Sequence, residues 1–117
     1  MTGISVKRAR FRSPRYLAFV RTLPCAVCGG PADDAHHITG LHMGLTGMGT
    51  KPGDQYTLPV DRQCHNAIHA QPALQALQPQ WLLSTLSAGM RAFPQGELHE
   101  ALVEAHNWIW TLEGAPA

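Results

Sequence analysis

All three cysteines and five of the seven histidines lie between residues 25 and 69, and their spacing constrains the fold more than any other feature of the sequence. If the segment from Cys64 to His69 is helical, His65 and His69 lie one turn apart on one face, where two imidazoles can bind one ion. His36 and His37 are adjacent, so in extended backbone one could supply a third ligand while the other points away as a base. Three protein ligands leave an open coordination position, which is typical of a catalytic metal site.

The segment Cys25-Ala26-Val27-Cys28-Gly29-Gly30 predicts a second kind of metal site. Its glycines favour a tight turn in which two thiolates converge on one ion. A redox CxxC is the competing interpretation, but that motif opens a helix, whereas glycine, proline and acidic residues follow here. Three cysteines cannot form a closed disulfide framework. No apolar signal segment follows the basic N-terminus, so we expect thiols in a reducing, cytoplasmic compartment.

Capping and hydrophobic patterns predict an α+β chain in which a hairpin lies between helices. No apolar run approaches the roughly 18 residues that a membrane span needs, so no membrane partner is expected. The predicted elements are, in order, a short helix capped by Ser13-Pro14 and ending before Pro24, strands over Ala32 to Ile38 and Tyr56 to Val60, a helix beginning near Cys64, a helix from Pro79 broken at Phe93-Pro94, and a helix over Glu97 to Trp110.

A chain of 117 residues is expected to form one domain. We predict a flexible basic arm over residues 1–12 and a single domain over residues 13–117, with a core at about 25–70 and a helical C-terminal extension at 72–112. The net charge of +1 conceals a basic N-terminal fifth. Such an arm can neutralise phosphates and release their counterions, which predicts a nucleic-acid partner, although a solvated tail is the alternative. Its basic residues are Lys7, Arg8, Arg10, Arg12, Arg15 and Arg21.

Three motifs, Cys25-Ala26-Val27-Cys28, Ala35-His36-His37-Ile38 and Cys64-His65-Asn66-Ala67-Ile68-His69, together resemble the HNH, or ββα-metal, endonuclease family. The resemblance covers about residues 25–70. It implies a ββα core with a zinc knuckle and metal-dependent hydrolysis of DNA phosphodiester bonds. The run Gly-Met-Gly-Thr-Lys-Pro-Gly-Asp at 47–54 is similar to a phage and prophage recombination-associated branch. That similarity implies recombination or DNA processing, with a recombination or phage protein as a further partner.

The resemblance also assigns roles by position. It implies that His37 is the general base and that His36, His65 and His69 bind a catalytic divalent ion, which could be Zn²⁺, Mn²⁺, Ni²⁺ or Mg²⁺. A structural zinc would be held by Cys25, Cys28 and Cys64, with Asp61 where the family has a fourth cysteine. The family's middle asparagine falls on Tyr56, so its loop-bracing role is either lost or passed to Asp54. Residues expected to orient a histidine or to contact phosphate are Asp34, which could orient His36 or His37, and His42, Lys51, Asp54 and Arg62.

Two other classes of protein compete with the nuclease. In a non-catalytic zinc module that binds nucleic acid or protein, all Cys and His residues would be structural. That interpretation explains the cysteines well, but adjacent histidines on opposite sides of a strand cannot readily join one closed site. A thiol oxidoreductase would need a cysteine of low pKa and would tolerate chelators. A nuclease should carry two unlike metal sites, one rich in thiolate and one rich in imidazole, whereas the module should bind one ion.

Overall fold

The computed structural model describes residues 10–38 and 52–113, which form an α+β structure with a two-stranded antiparallel hairpin and several helices. This confirms the predicted class and the position of the hairpin between helices. Among the described residues, the helices are either too short or too polar to cross a bilayer. The elements are α1 (Pro14–Val20), β1 (Asp34–His37), β2 (Thr57–Val60), α2 (Arg62–Ala70), α3 (Pro72–Gln75), α4 (Gln78–Ala92) and α5 (Glu97–Leu112).

Side-chain caps fix where two of the helices begin. The Ser13 hydroxyl accepts the Tyr16 N–H at 3.1 Å, with Pro14 in the first turn of α1, as the sequence predicted. The Asp61 carboxylate caps α2 by accepting the Cys64 N–H at 2.7 Å. This second cap starts α2 at Arg62, two residues before the predicted start near Cys64.

The hairpin brings β1 beside β2 with His36 opposite Leu58 and His37 opposite Thr57. Every residue of β2 is buried, because α1 and α4 pack against it. The turn that contains the CxxC motif also joins β2, since the Ala26 N–H donates to the Pro59 carbonyl at 2.8 Å. The hairpin therefore holds the cysteine turn, the two adjacent histidines and the start of α2 close together.

The core lies between the hairpin and the C-terminal helices. Alpha helices α4 and α5 pack against each other, and α4 also contacts α1 and β2. At their meeting point a side chain at Gly89 would lie 2.8 Å from the Tyr16 ring and 3.0 Å from Leu102, so only glycine fits. Helix α5, predicted over Glu97 to Trp110, buries one apolar face at Leu98, Leu102, Ala105 and Ile109.

The first described residues, Arg10 and Phe11, contact the rest of the domain. The Asp54 N–H donates to the Phe11 carbonyl at 2.9 Å, and the Phe11 side chain packs against the core. An Arg10 guanidinium nitrogen lies 3.6 Å from the Asp54 carboxylate. The flexible arm was predicted over residues 1–12, but residues 10 and 11 are held to the domain and residues 1–9 lie outside the described residues.

Candidate metal centres and a histidine–aspartate pair

Three imidazoles from β1 and α2 converge on one point. The ligand nitrogens of His36, His65 and His69 all lie within 4.8 Å of one another. His36 Nδ1 is 3.1 Å from His65 Nε2, close to the roughly 3.3 Å that separates two nitrogens bound tetrahedrally to one zinc ion. The structure therefore brings together the three histidines that the sequence proposed as ligands of one ion, and His37 is not among them.

Hydrogen bonds to the outer nitrogens fix the tautomers of His36 and His65. Gln78 donates its amide N–H to the Gln75 carbonyl at 3.4 Å, so its Oε1 faces His36 Nε2 at 3.2 Å. His36 then carries its hydrogen on Nε2 and a lone pair on Nδ1. The Asp34 carboxylate lies 3.2 Å from His65 Nδ1, which leaves the lone pair of His65 on Nε2.

Two lone pairs therefore face each other across 3.1 Å. Burial, reinforced by the neighbouring His65, lowers the pKa of His36 to about 4, so the ring is neutral near pH 7. A divalent cation between the two nitrogens would be coordinated by both lone pairs, which would remove the repulsion. In metal proteins, a carboxylate or carbonyl group commonly accepts the other ring N–H of a ligand histidine and so fixes this tautomer. The donor set and its hydrogen bonds fit a borderline metal ion such as Zn²⁺ or Ni²⁺.

His37 points to the other side of β1 and meets Asp54. His37 Nε2 lies 2.8 Å from Asp54 Oδ1, while Asp54 Oδ2 accepts the Ser13 N–H at 2.7 Å. Burial opposes ionisation of Asp54, but these hydrogen bonds outweigh it and lower the pKa of the carboxyl. The ionised carboxylate accepts the Nε2 hydrogen and leaves the Nδ1 lone pair of His37 free. The His37 side chain is 27% exposed, so water can reach it.

A second cluster joins the CxxC turn to the start of α2. Its donors are Cys25 Sγ, Cys28 Sγ, Cys64 Sγ and a carboxylate oxygen of Asp61, all within 4.8 Å of one another. The two carboxylate oxygens of Asp61 have different contacts. Oδ1 caps α2, and Oδ2 lies 3.0 Å from Cys28 Sγ and 3.5 Å from Cys64 Sγ. Gly29 permits the turn because its φ is +80°. This cluster could hold a metal such as zinc.

The thiols of this second cluster differ in their acidity. Burial opposes ionisation of Cys25, but hydrogen bonds from the backbone amides of Cys28, Asp61 and Val27 outweigh it and lower the pKa. Burial and the neighbouring Asp61 carboxylate raise the pKa of Cys64 to about 12. Metal binding would therefore have to displace at least the Cys64 proton, which makes the affinity of this site pH-dependent.

Asp34 joins a histidine of the first cluster to Arg62. The Arg62 guanidinium binds both carboxylate oxygens, at 3.0 and 3.2 Å, and this contact lowers the pKa of Asp34. The carboxylate thus orients His65, rather than His36 or His37, the two histidines suggested from the sequence. The two remaining predicted contacts, His42 and Lys51, lie outside the described residues.

Sequence reasoning missed Gln78 and the partners of Asp54. Gln78 lies 42 residues after His36, in the first turn of α4, and no spacing rule connects the two. Asp54 was proposed as a loop brace, but its position between His37 and the cap of α1 depends on a contact over 41 residues. Tyr56, at the family's asparagine position, instead packs its ring against Trp108 at 6.3 Å. A buried glutamine needs a polar partner, but the burial of Gln78 is visible only in the structure, so the sequence held no signal for this contact.

Comparison with known proteins places this chain in a family. Residues 4–76 match the family model described as "Protein of unknown function (DUF968)", so the chain belongs to that family. The match includes all seven candidate metal ligands and ends two residues before Gln78. An Escherichia coli (strain K12) protein described as "Uncharacterized protein YdfU" is 49% identical over 63 residues, which are 54% of this chain and 18% of that protein. No solved structure matches the chain.

Proposed function

We propose that this chain is a metal-dependent endonuclease of the HNH type that hydrolyses phosphodiester bonds in DNA. The carrying observation is that two adjacent histidines of β1 enter different environments. His36 joins the three-imidazole cluster, whereas His37 contacts Asp54. One strand thus presents a metal ligand and a base to opposite sides, and the order of β1, β2 and α2 agrees with a ββα core.

In the proposed reaction, the Nδ1 lone pair of His37 takes a proton from a water molecule, whose oxygen attacks the phosphorus in line with the departing 3′ oxygen. Asp54 accepts the Nε2 hydrogen and so holds the ring in the required tautomer. His36, His65 and His69 would hold the divalent ion. That ion would supply Lewis-acid stabilisation of charge on the phosphate and the leaving oxygen. The products would carry 5′-phosphate and 3′-hydroxyl ends.

The second cluster has a structural role in this proposal. A zinc ion held by the three cysteines and Asp61 would tie the CxxC turn to the start of α2. Since α2 also carries His65 and His69, the same ion would fix the position of two ligands of the catalytic metal. Structural zinc sites of this kind contribute directly to folding free energy.

DNA is the proposed partner, bound through its phosphates by the basic N-terminal residues and by the arginines near the site. The resemblance of residues 47–54 motivates a role in phage or prophage recombination or DNA processing, with a recombination or phage protein as a further partner. The whole-protein setting is part of the proposal, because the chain spans 18% of the length of the curated relative it matches.

The proposal is tested by following cleavage of supercoiled plasmid and of single-stranded DNA on a gel. Reactions contain Mg²⁺, Mn²⁺, Ni²⁺ or Zn²⁺, or EDTA. His37→Ala is the variant, and it should lose cleavage while it keeps its fold and its metal. His99→Ala is the matched control. His99 donates its Nδ1 hydrogen to the Phe93 carbonyl, in a part of the chain remote in sequence from the proposed site, so this variant should cleave normally.

Two outcomes would contradict the proposal. If folded, metal-loaded protein leaves both DNAs intact, the chain is not a nuclease for these substrates, and tight DNA binding with a single bound ion would identify the non-catalytic zinc module. If His37→Ala cleaves as fast as the unmodified protein, the assignment of the base is wrong. A metal count distinguishes the classes independently, because the nuclease should bind two ions per chain in unlike environments.

A further inference from the structure

An open cavity of about 410 Å³ lies beside the three-imidazole cluster, between the end of α1, the start of β1 and the first turns of α2. Its volume is within the range of ligand-binding sites. His65 belongs to both features, because its Nε2 faces His36 while the ring also lines the cavity. The residues that line the cavity are Arg21, Asp34, Ala35, Arg62, His65 and Asn66.

The charges around this cavity favour an anion. Arg21 caps the C-terminal end of α1 and is exposed, and no acidic side chain among residues 10–38 and 52–113 forms an ion pair with it. The Arg62 guanidinium pairs with the Asp34 carboxylate, which also contacts His65, but the Arg62 side chain is 72% exposed, so part of it faces solvent. Asn66 adds an exposed amide on the same side of α2. A second carboxylate, Asp33, lies beside Arg62 and accepts its backbone N–H at 3.0 Å, so the cation that remains for an anion is Arg21.

We propose that this cavity binds a DNA phosphate next to the one that is cleaved, with Arg21 as its principal contact. The proposal rests on the proposed nuclease function and names part of its substrate site. His65 belongs to both the imidazole cluster and the cavity lining. A DNA strand whose scissile phosphate lies at the cluster can therefore place its neighbouring phosphate in the cavity. Phosphate contacts of this type set the register of the strand without reading its sequence.

Arg62 is the secondary contact, because it must divide its donors between the phosphate and Asp34. The Asp34 carboxylate also accepts from His65, so it stays in place when Arg62 turns toward the strand. Arg21 has no such competitor among the described acidic residues, which is why its removal gives the cleaner test. The sequence placed Arg21 with the basic arm, whereas the fold brings it to the site, 44 residues before His65.

The test measures binding of a fluorescently labelled single-stranded oligonucleotide and of its duplex by anisotropy, over a series of salt concentrations. All proteins carry His37→Ala so that binding is measured without cleavage. Arg21→Ala is compared with Arg91→Ala, which removes the same charge from an exposed residue in the last turn of α4, away from the cavity. Arg21→Lys tests whether a point charge suffices.

Arg21→Ala should weaken binding roughly 5- to 10-fold at low salt and reduce the salt slope by about 0.7–0.9, the value for one lost phosphate contact. Arg91→Ala should change affinity less than twofold, and Arg21→Lys should fall in between. Equal losses for Arg21→Ala and Arg91→Ala would overturn the cavity proposal, as would a failure of all variants to bind DNA. If the unmodified protein cleaves DNA while Arg21→Ala binds it normally, the cavity proposal fails and the nuclease stands. If Arg21→Ala weakens binding but the unmodified protein never cleaves, the phosphate contact of Arg21 stands, while the nuclease and the position of that phosphate beside a cleaved one fail.

Discussion

Asp54→Asn should abolish the base function of His37 without removing a hydrogen bond. Asparagine has one acceptor oxygen, whereas Asp54 uses two, one for the Ser13 N–H and one for His37 Nε2. The Ser13 amide will take the oxygen, since leaving it unpaired would cost about 1–3 kcal/mol. The amide NH₂ then faces His37 Nε2, which must become an acceptor. The hydrogen of the ring moves to Nδ1, the nitrogen that should receive the proton from water.

The size of the effect follows from the role that is lost. General-base catalysis contributes roughly 10²- to 10⁴-fold, so single-turnover cleavage by Asp54→Asn should slow by that factor. KM should change little, because Asp54 is 3% exposed and lies behind His37. Both hydrogen bonds are replaced, but the ion pair with Arg10 at 3.6 Å is lost, so the free energy of unfolding should fall by about 1–2 kcal/mol.

The assay is single-turnover cleavage of labelled DNA, with nitrogen NMR of His37 as a second readout of the tautomer. Asp33→Asn is the matched control, because the exposed Asp33 also accepts a backbone N–H, from Arg62 at 3.0 Å, but has no histidine partner. The control should cleave normally. A folded Asp54→Asn protein that cleaves at the unmodified rate, or in which His37 keeps its hydrogen on Nε2, would refute the reasoning.

Three further predictions concern the metal sites. Gln78→Leu removes the acceptor of the His36 Nε2 hydrogen and should lower metal affinity at the imidazole site 10- to 100-fold in calorimetric titrations. Gln80→Leu, at an exposed position of the same helix, is the control and should leave the affinity unchanged. Equal affinities of the two variants would contradict the tautomer argument. Metal-free protein should lose stability as the pH falls from 6.5 to about 4, because His36 takes up its proton only on unfolding. The two pKa values make this loss on the order of 2–3 kcal/mol, and urea unfolding that is flat across the window would argue against a neutral buried ring. Asp61→Asn should keep the α2 cap and weaken zinc binding, while Asp61→Ala should also cost about 1 kcal/mol in metal-free unfolding; identical unfolding of the two would show that the cap is unimportant.

Local sequence signals predicted the parts of the fold that depend on neighbouring residues. Ser13-Pro14 marked the start of α1, Phe93-Pro94 marked the end of α4, and the hydrophobic pattern over Glu97 to Trp110 marked the last helix. Strand ends were less accurate: of the segment predicted over Ala32 to Ile38, only Asp34–His37 forms β1. Hydrogen bonds from the Asp33 and Ile38 N–H groups to the Val60 and Tyr56 carbonyls continue the contact by one residue at each end.

The candidate site shows the same division. The spacing of His65 and His69 and the opposite directions of His36 and His37 follow from helix and strand geometry, so the sequence could predict them. The groups that orient these side chains come from distant segments. Gln78 and Arg21 reach the site only because α4 and α1 pack beside the hairpin. Local patterns in a single sequence do not predict which helices pack against which strands.

The most direct test of the nuclease is to analyse the ends that it produces. End-labelled DNA is cleaved in a single turnover in H₂¹⁸O, and the product ends are identified by mass spectrometry for the unmodified protein and for His37→Ala. Attack by water with departure of the 3′ oxygen predicts a 3′-hydroxyl end and a 5′-phosphate that contains one ¹⁸O atom, with product formation lost in the variant. Phosphate left on the 3′ end, a 5′-phosphate without ¹⁸O, or no products from folded, metal-loaded protein would contradict the account.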